Sequence, residues 1–106
     1  MFSLMCVGQT IEEVKAEIVK QKLPHPNIVL AQARLETGNF KFHKNHNIFG
    51  IKHDGKYAKY KHWRLCIADY KKYISSKYTG GDYYAFLMKI KYAKDKQYIE
   101  KLKKFK

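Results

Sequence analysis

Glu36 closes a run, PNIVLAQARLETG, in which Ile28, Val29, Leu30, Ala31, Ala33 and Leu35 leave only Gln32 and Arg34 as polar interruptions. A helix over these residues is apolar almost all round, and such a helix is expected to be buried. Thr37 and Gly38 end it, Gly38 accepting the left-handed conformation that other residues resist. That leaves Glu36 beside the negative end of the helix dipole. Burial and dipole both favour the neutral acid. A carboxyl group held protonated near neutral pH is what a general acid needs, for example to protonate the leaving oxygen of a glycosidic bond. The plain alternative is a glutamate at a helix end with its head in water.

Other residues suggest rival chemistries. Histidines 43, 46, 53 and 62 crowd one segment, and His43-x-x-His46 could begin a metal site. Zinc sites have tighter paired spacing and a second-shell acid for each imidazole, so no metal and no other cofactor is expected. Cys6 and Cys66 lie far apart with no paired spacing, which excludes a metal knuckle. Two reduced, mostly buried thiols are expected, with a disulfide left open. Lys91, Lys94, Lys96, Lys101, Lys103, Lys104 and Lys106 form a basic tail interleaved with Tyr92, Tyr98 and Phe105, as in proteins that grip single-stranded nucleic acid. The alternative is a solvated helix face, since Tyr98, Ile99 and Leu102 fall on one side as core residues do. A pure binding module has no use for a glutamate at the end of a buried helix.

The elements that must position these groups are mostly helical. Thr10 with Glu13 forms a capping box, and Ile11, Val14 and Ile18 recur at helical spacing, predicting a first helix over residues 11–22. The apolar run from Pro26 to Glu36 is the second. Residues 39–49 have no sustained period and read as an irregular loop. An Asp54-Gly55 turn between short polar arms predicts a hairpin within residues 51–63. From Leu65 the helical period returns through Cys66, Ile67, Tyr70, Tyr73 and Ile74, and ends at Gly80 and Gly81. Asp82 is expected to cap a fourth helix bearing Tyr83, Phe86, Leu87 and Ile90, and Asp95 a fifth bearing Tyr98, Ile99, Leu102 and Phe105. The fold class is therefore α+β, mainly α: about five helices with a small β-hairpin lobe over a groove, an arrangement that is lysozyme-like.

Length and charge bound the rest. At 106 residues the chain suits one domain, residues 1–106. Its 22 Lys and Arg against 9 Asp and Glu give a formal charge of +13, which attracts polyanions of any kind. No apolar stretch approaches the roughly 20 residues of a membrane span. MFSLMCVG lacks the basic start and length of a signal peptide, so no export signal is expected there.

Four blocks in order resemble the glucosaminidase family of peptidoglycan hydrolases, which includes flagellar muramidases and bacterial autolysins. They are AQARLETG, then NIFGIK about ten residues on, then IADYKKYI, then YAKDKQYIEKL, spanning residues 26–105. The resemblance implies that Glu36 is the catalytic acid, that Asn47, Phe49 and Gly50 follow it to line a substrate groove with Tyr57 of the hairpin, and that Tyr92 stands near the carboxyl. For Phe49 a core role is the alternative, for Asn47 a loop brace. Asp95 is explained as a cap and Asp69 as structural. Longer relatives are proposed to draw a second carboxylate from the β-lobe. Here residues 51–65 contain one acidic residue, Asp54, which half of a hairpin turn also explains. Without it the mechanism leans on Glu36 plus a water held by Tyr92 or the substrate's own acetamido group. The implied partners are bacterial peptidoglycan and, by charge, acidic wall polymers, met by a monomer at the cell wall as a phage lysin, a virion-associated enzyme or a secreted one. Cleavage after N-acetylglucosamine is implied, with cleavage after N-acetylmuramic acid left open.

Overall fold

The computed structural model describes residues 10–41 and 44–105. Cys6, His43 and Lys106, and with Cys6 the disulfide, lie outside the described residues.

Helix α1, Ile11–Lys20, opens on the expected reciprocal cap: the Glu13 amide donates to Thr10 Oγ1 at 3.1 Å and the Thr10 amide to Glu13 Oε1 at 2.9 Å. It ends short of residue 22 because Gln21 caps it and Lys22 turns left-handed at φ 62°. Helix α2, Pro26–Thr37, begins with Pro26 in its first turn, where a missing N–H loses nothing. It stops at Gly38, at φ 59° and ψ 52°. Its middle is buried as the apolar run requires: Val29, Leu30, Ala31 and Ala33, and with them Gln32.

After a loop in which Asn45 and His46 turn left-handed at φ 59° and 56°, the chain makes a two-stranded antiparallel ribbon, β1 (Lys52–His53) and β2 (Lys56–Tyr57). Asp54 and Gly55 both take positive φ, 54° and 79°, as a turn matched to strand twist demands. Both strands are exposed throughout, so the ribbon is a surface lobe and no part of the core.

Helix α3, Trp63–Ser75, starts two residues before the expected Leu65, because the His62 ring accepts the Arg64 amide at 3.1 Å and serves as the N-cap. Helix α4, Tyr83–Lys89, is capped by Asp82 as expected. Helix α5, Tyr98–Lys103, is not capped by Asp95: Gln97 holds the N-cap position, while Asp95 accepts the Gln97 amide at 2.9 Å and pairs with the Lys101 ammonium at 2.5 Å. Among the described residues the architecture is thus five helices and one small ribbon, the α+β, mainly α class expected.

Helix α1 packs on α2 and α3, and α5 on α2. One core joins Val14 and Ile18 of α1 to Val29 and Ala33 of α2, Cys66, Ile67 and Tyr70 of α3, Leu87 of α4 and Leu102 of α5. Ile48 and Phe49 enter the same core from the loop. The C-terminal end of α2 is thereby held beside the segment that leads into the β-lobe. No helix is long and apolar enough to cross a membrane among the described residues.

Candidate active site

Glu36 lies in the last turn of α2 with its carboxyl pressed against Gly50. A Cβ built on Gly50 would stand 2.3 Å from Glu36 Oε1, 2.6 Å from Cδ and 3.0 Å from Cγ. Gly50 also holds φ +65°, so two independent reasons require glycine there. The expectation that Glu36 is buried with its helix is corrected: the residue is exposed, although its neighbour Thr37 is buried, because the last turn of α2 stays on the core and points Glu36 outward from it. Its carboxyl is nonetheless raised above the ordinary carboxylate pKa by desolvation, opposed by the charge of Lys52. The two facts are compatible. One face of the side chain meets water, while the Gly50 backbone and the surrounding protein exclude it from the other.

Behind the acid stand two phenols. Tyr92 donates to the Phe49 carbonyl at 3.3 Å and packs face to face with Tyr98, ring centroids 5.8 Å apart. Burial, reinforced by Tyr98 and the charge of Glu36, holds the Tyr92 phenol well above its ordinary range. Burial does the same for Tyr98, again with Glu36 adding to it. Both phenols therefore stay neutral and act as hydrogen-bonding groups, not bases.

Tyr98 is fastened from below by Gln32, one helical turn before Glu36 on the same face of α2. Gln32 Nε2 donates to Tyr98 Oη at 3.1 Å, its Oε1 accepts from Tyr70, and Tyr70 meets the Tyr83 hydroxyl at 2.6 Å. Only 1 % of Gln32 is exposed, and this chain of partners is why a buried amide is tolerated.

The other expected site residues separate into two groups. Asn47 spends its carboxamide inside the protein: Nδ2 donates to the Ile51 and Ala58 carbonyls at 2.8 and 3.1 Å, and Oδ1 accepts the Ile51 amide at 2.9 Å and the Cys66 thiol at 3.5 Å. It braces the root of the lobe and has no donor left for a sugar. Phe49 is corrected likewise. Its ring is 2 % exposed and packs on Tyr70 at 4.3 Å, so the residue offers the site its carbonyl and not its aromatic face. On the lobe, Tyr57 is exposed with the Lys52 ammonium 4.8 Å from its ring centre, and Asp54 is exposed at the turn.

Lys52 was not legible as a site residue, yet it is the cation that acts on Glu36. Asp69 had no visible partner in the sequence either. From α3 its Oδ2 accepts the Tyr60 hydroxyl at 2.6 Å and bonds His53 Nε2 at 3.0 Å, so one oxygen holds both arms of the lobe. No cluster of three or more His, Cys, Asp or Glu side chains able to hold a metal occurs among the described residues. Burial pushes the Cys66 thiol up to about 11, which leaves it an unreactive core group. Two cavities, of about 410 and 610 Å³, open around α4, and neither is lined by Glu36, Gly50 or Tyr92.

A carboxyl biased toward its protonated form beside two neutral phenols suits general-acid cleavage of a glycosidic bond. The sequence pattern of the glucosaminidase family, described as mannosyl-glycoprotein endo-beta-N-acetylglucosaminidase, matches residues 12–105, and the chain belongs to that family. Membership makes it a glycoside hydrolase with peptidoglycan as its substrate class. No curated protein and no solved structure matches the chain.

Proposed function

We propose that the protein is an endo-β-N-acetylglucosaminidase that cuts the β-1,4-linked glycan of peptidoglycan with Glu36 as general acid. The observation that carries this reading is the carboxyl of Glu36, packed on Gly50 and raised in pKa by desolvation while one side remains open to a substrate. Glu36 delivers its proton to the leaving glycosidic oxygen as the bond breaks, and the sugar develops oxocarbenium character. Lys52 then faces the carboxylate that forms.

The second role goes to the substrate. Asp54 is accounted for by its left-handed place in the turn, and the neutral phenols cannot act as bases. The acetamido oxygen of the sugar on the cleaved side attacks its own anomeric carbon, giving a cyclic intermediate that water opens. Tyr92, whose proton goes to the Phe49 carbonyl, keeps lone pairs on its oxygen with which to accept the acetamido N–H or orient the water. The exposed Tyr57, under the Lys52 ammonium, offers a flat face for a sugar ring.

Glu36→Gln keeps the shape of the side chain and removes the acid. Wall lysis is expected to fall about 10²–10⁴-fold with the melting temperature preserved. Lysis within a few-fold of wild type would remove Glu36 from this role. Mass spectrometry of the released reducing ends is expected to find N-acetylglucosamine. N-acetylmuramic acid ends would instead assign muramidase specificity.

A further inference from the structure

The cavity of about 410 Å³ between α4 and α5 adjoins the proposed site without containing it. Tyr92 turns its phenol inward to Phe49 and Glu36, while its chain neighbours Lys91 and Ala93 line this cavity. Tyr98 belongs to both: its hydroxyl is bonded to Gln32 below Glu36, and the residue forms part of the cavity wall.

The lining has two characters. Met88, Ala93, Tyr98 and Ile99 make an apolar wall, with Met88 59 % exposed at the mouth. Lys91, Lys94 and Lys96 add three cations, none of which forms an ion pair among the described residues. The one acidic residue of the lining, Asp95, is already matched by Lys101 at 2.5 Å. A pocket of this kind fits a ligand carrying both carboxylates and small apolar groups, and its volume lies within the range of small-ligand sites.

We infer that this cavity is a subsite for the acidic, alanine-bearing peptide branch of the glycan, held while the sugar strand lies across Glu36. The inference rests on the function proposed above and names a second part of the same substrate. A polyol-phosphate wall polymer meets the charge requirement equally well but brings no methyl groups for Met88, Ala93 and Ile99 to cover. The apolar wall therefore favours the peptide.

Two matched charge removals test the assignment on wild-type background. Lys91→Ala/Lys94→Ala strips the subsite, whereas Lys77→Ala/Lys89→Ala strips the same charge from the cavity of about 610 Å³. With soluble glycan fragments prepared with and without their peptide branches, the first pair is expected to raise the KM for branched over unbranched fragments by roughly five- to tenfold, as two exposed charge contacts would. The second pair should leave that ratio where it is. Equal effects of the two pairs would reduce the lysines to general attraction and overturn the subsite.

A direct reading does not depend on catalysis. Titrating Glu36→Gln protein with a free acidic stem peptide should move the NMR methyl signals of Met88, Ala93 and Ile99, and Lys91→Ala/Lys94→Ala should abolish the movement. Unmoved methyls, or methyls moved by a polyol phosphate and not by the peptide, would refute the assignment. If wild-type protein releases no reducing ends from either glycan, it is the proposed function that fails, and the titration still decides the subsite.

Discussion

Gly50→Ala separates the position of Glu36 from the stability of the fold. Two effects act at once. The residue holds φ +65°, and forcing an L-residue into that region costs about 1–2 kcal/mol. The new Cβ would also lie 2.3 Å from Glu36 Oε1, where ordinary contact begins at 3.4 Å, so the oxygen must retreat by about 1.1 Å. The clash is with the far end of a flexible side chain, which can swing away, so it adds little to the folding cost. Its consequence is functional. A displacement of about 1 Å in a reacting group can lower turnover about 10²-fold. The expected result is a melting temperature lowered by about 4–8 °C for each kcal/mol, with kcat for reducing-end release down about 10²-fold and KM little changed. Gly55→Ala is the matched control: φ is +79° and nothing lies within 4 Å of its added Cβ, so it carries the backbone strain and leaves Glu36 alone. Both variants should lose similar stability, and only Gly50→Ala should lose turnover. Full kcat in folded Gly50→Ala protein would show that the position of this carboxyl does not matter to catalysis.

Three further outcomes can be checked with the same assays. Lys52 lowers the pKa of Glu36, so Lys52→Met should raise it further, keep the acid protonated to higher pH and move the alkaline limb of the kcat profile upward; a downward move would contradict the electrostatic role. Asp54→Asn, at an exposed turn, should keep wall lysis within a few-fold, and a loss comparable to that of Glu36→Gln would make Asp54 the second catalytic carboxylate. Treatment with a chelator should leave hydrolysis unchanged, and loss restored by zinc would draw the histidines of the loop and lobe into the mechanism.

What could be read in the sequence was local. Thr10 with Glu13, Gly38, Asp54-Gly55 and Asp82 act on backbone groups within a few residues, and each does in three dimensions what its type implies. The failures come from contacts between distant segments or from unusual chemistry. His62 caps α3 with an imidazole nitrogen, which is not among the common N-cap groups. Asp95 has the right type for a cap, but Lys101 and the Gln97 amide claim its oxygens. Glu36 shares its helix with a buried face, yet apolar neighbours cannot reveal which side of the final turn faces away from the core. Gln32 looked like a mere interruption in the apolar run, because its partners Tyr70 and Tyr98 are 38 and 66 residues away. Lys52 was one lysine among many until the fold set it near the acid.

The β-lobe hangs largely from side chains. Its ladder is two residues a side and fully exposed, while the carboxamide of Asn47, one oxygen of Asp69 and a single backbone bond, the Tyr60 amide to the Asn45 carbonyl at 2.9 Å, connect it to the body. Ile51 and Tyr60 at its roots pack on the core, but the strands between them cover none of it, so the ribbon forms a small unit of its own, whose amides exchange with solvent well before those of α3. Lys52 and Tyr57 travel with that unit, whereas Glu36 is anchored on α2. In the mechanism proposed above the proton donor is accordingly the stationary member of the pair and its counter-charge the movable one, and a glycan that drew the lobe down would alter the acidity of Glu36 without displacing it.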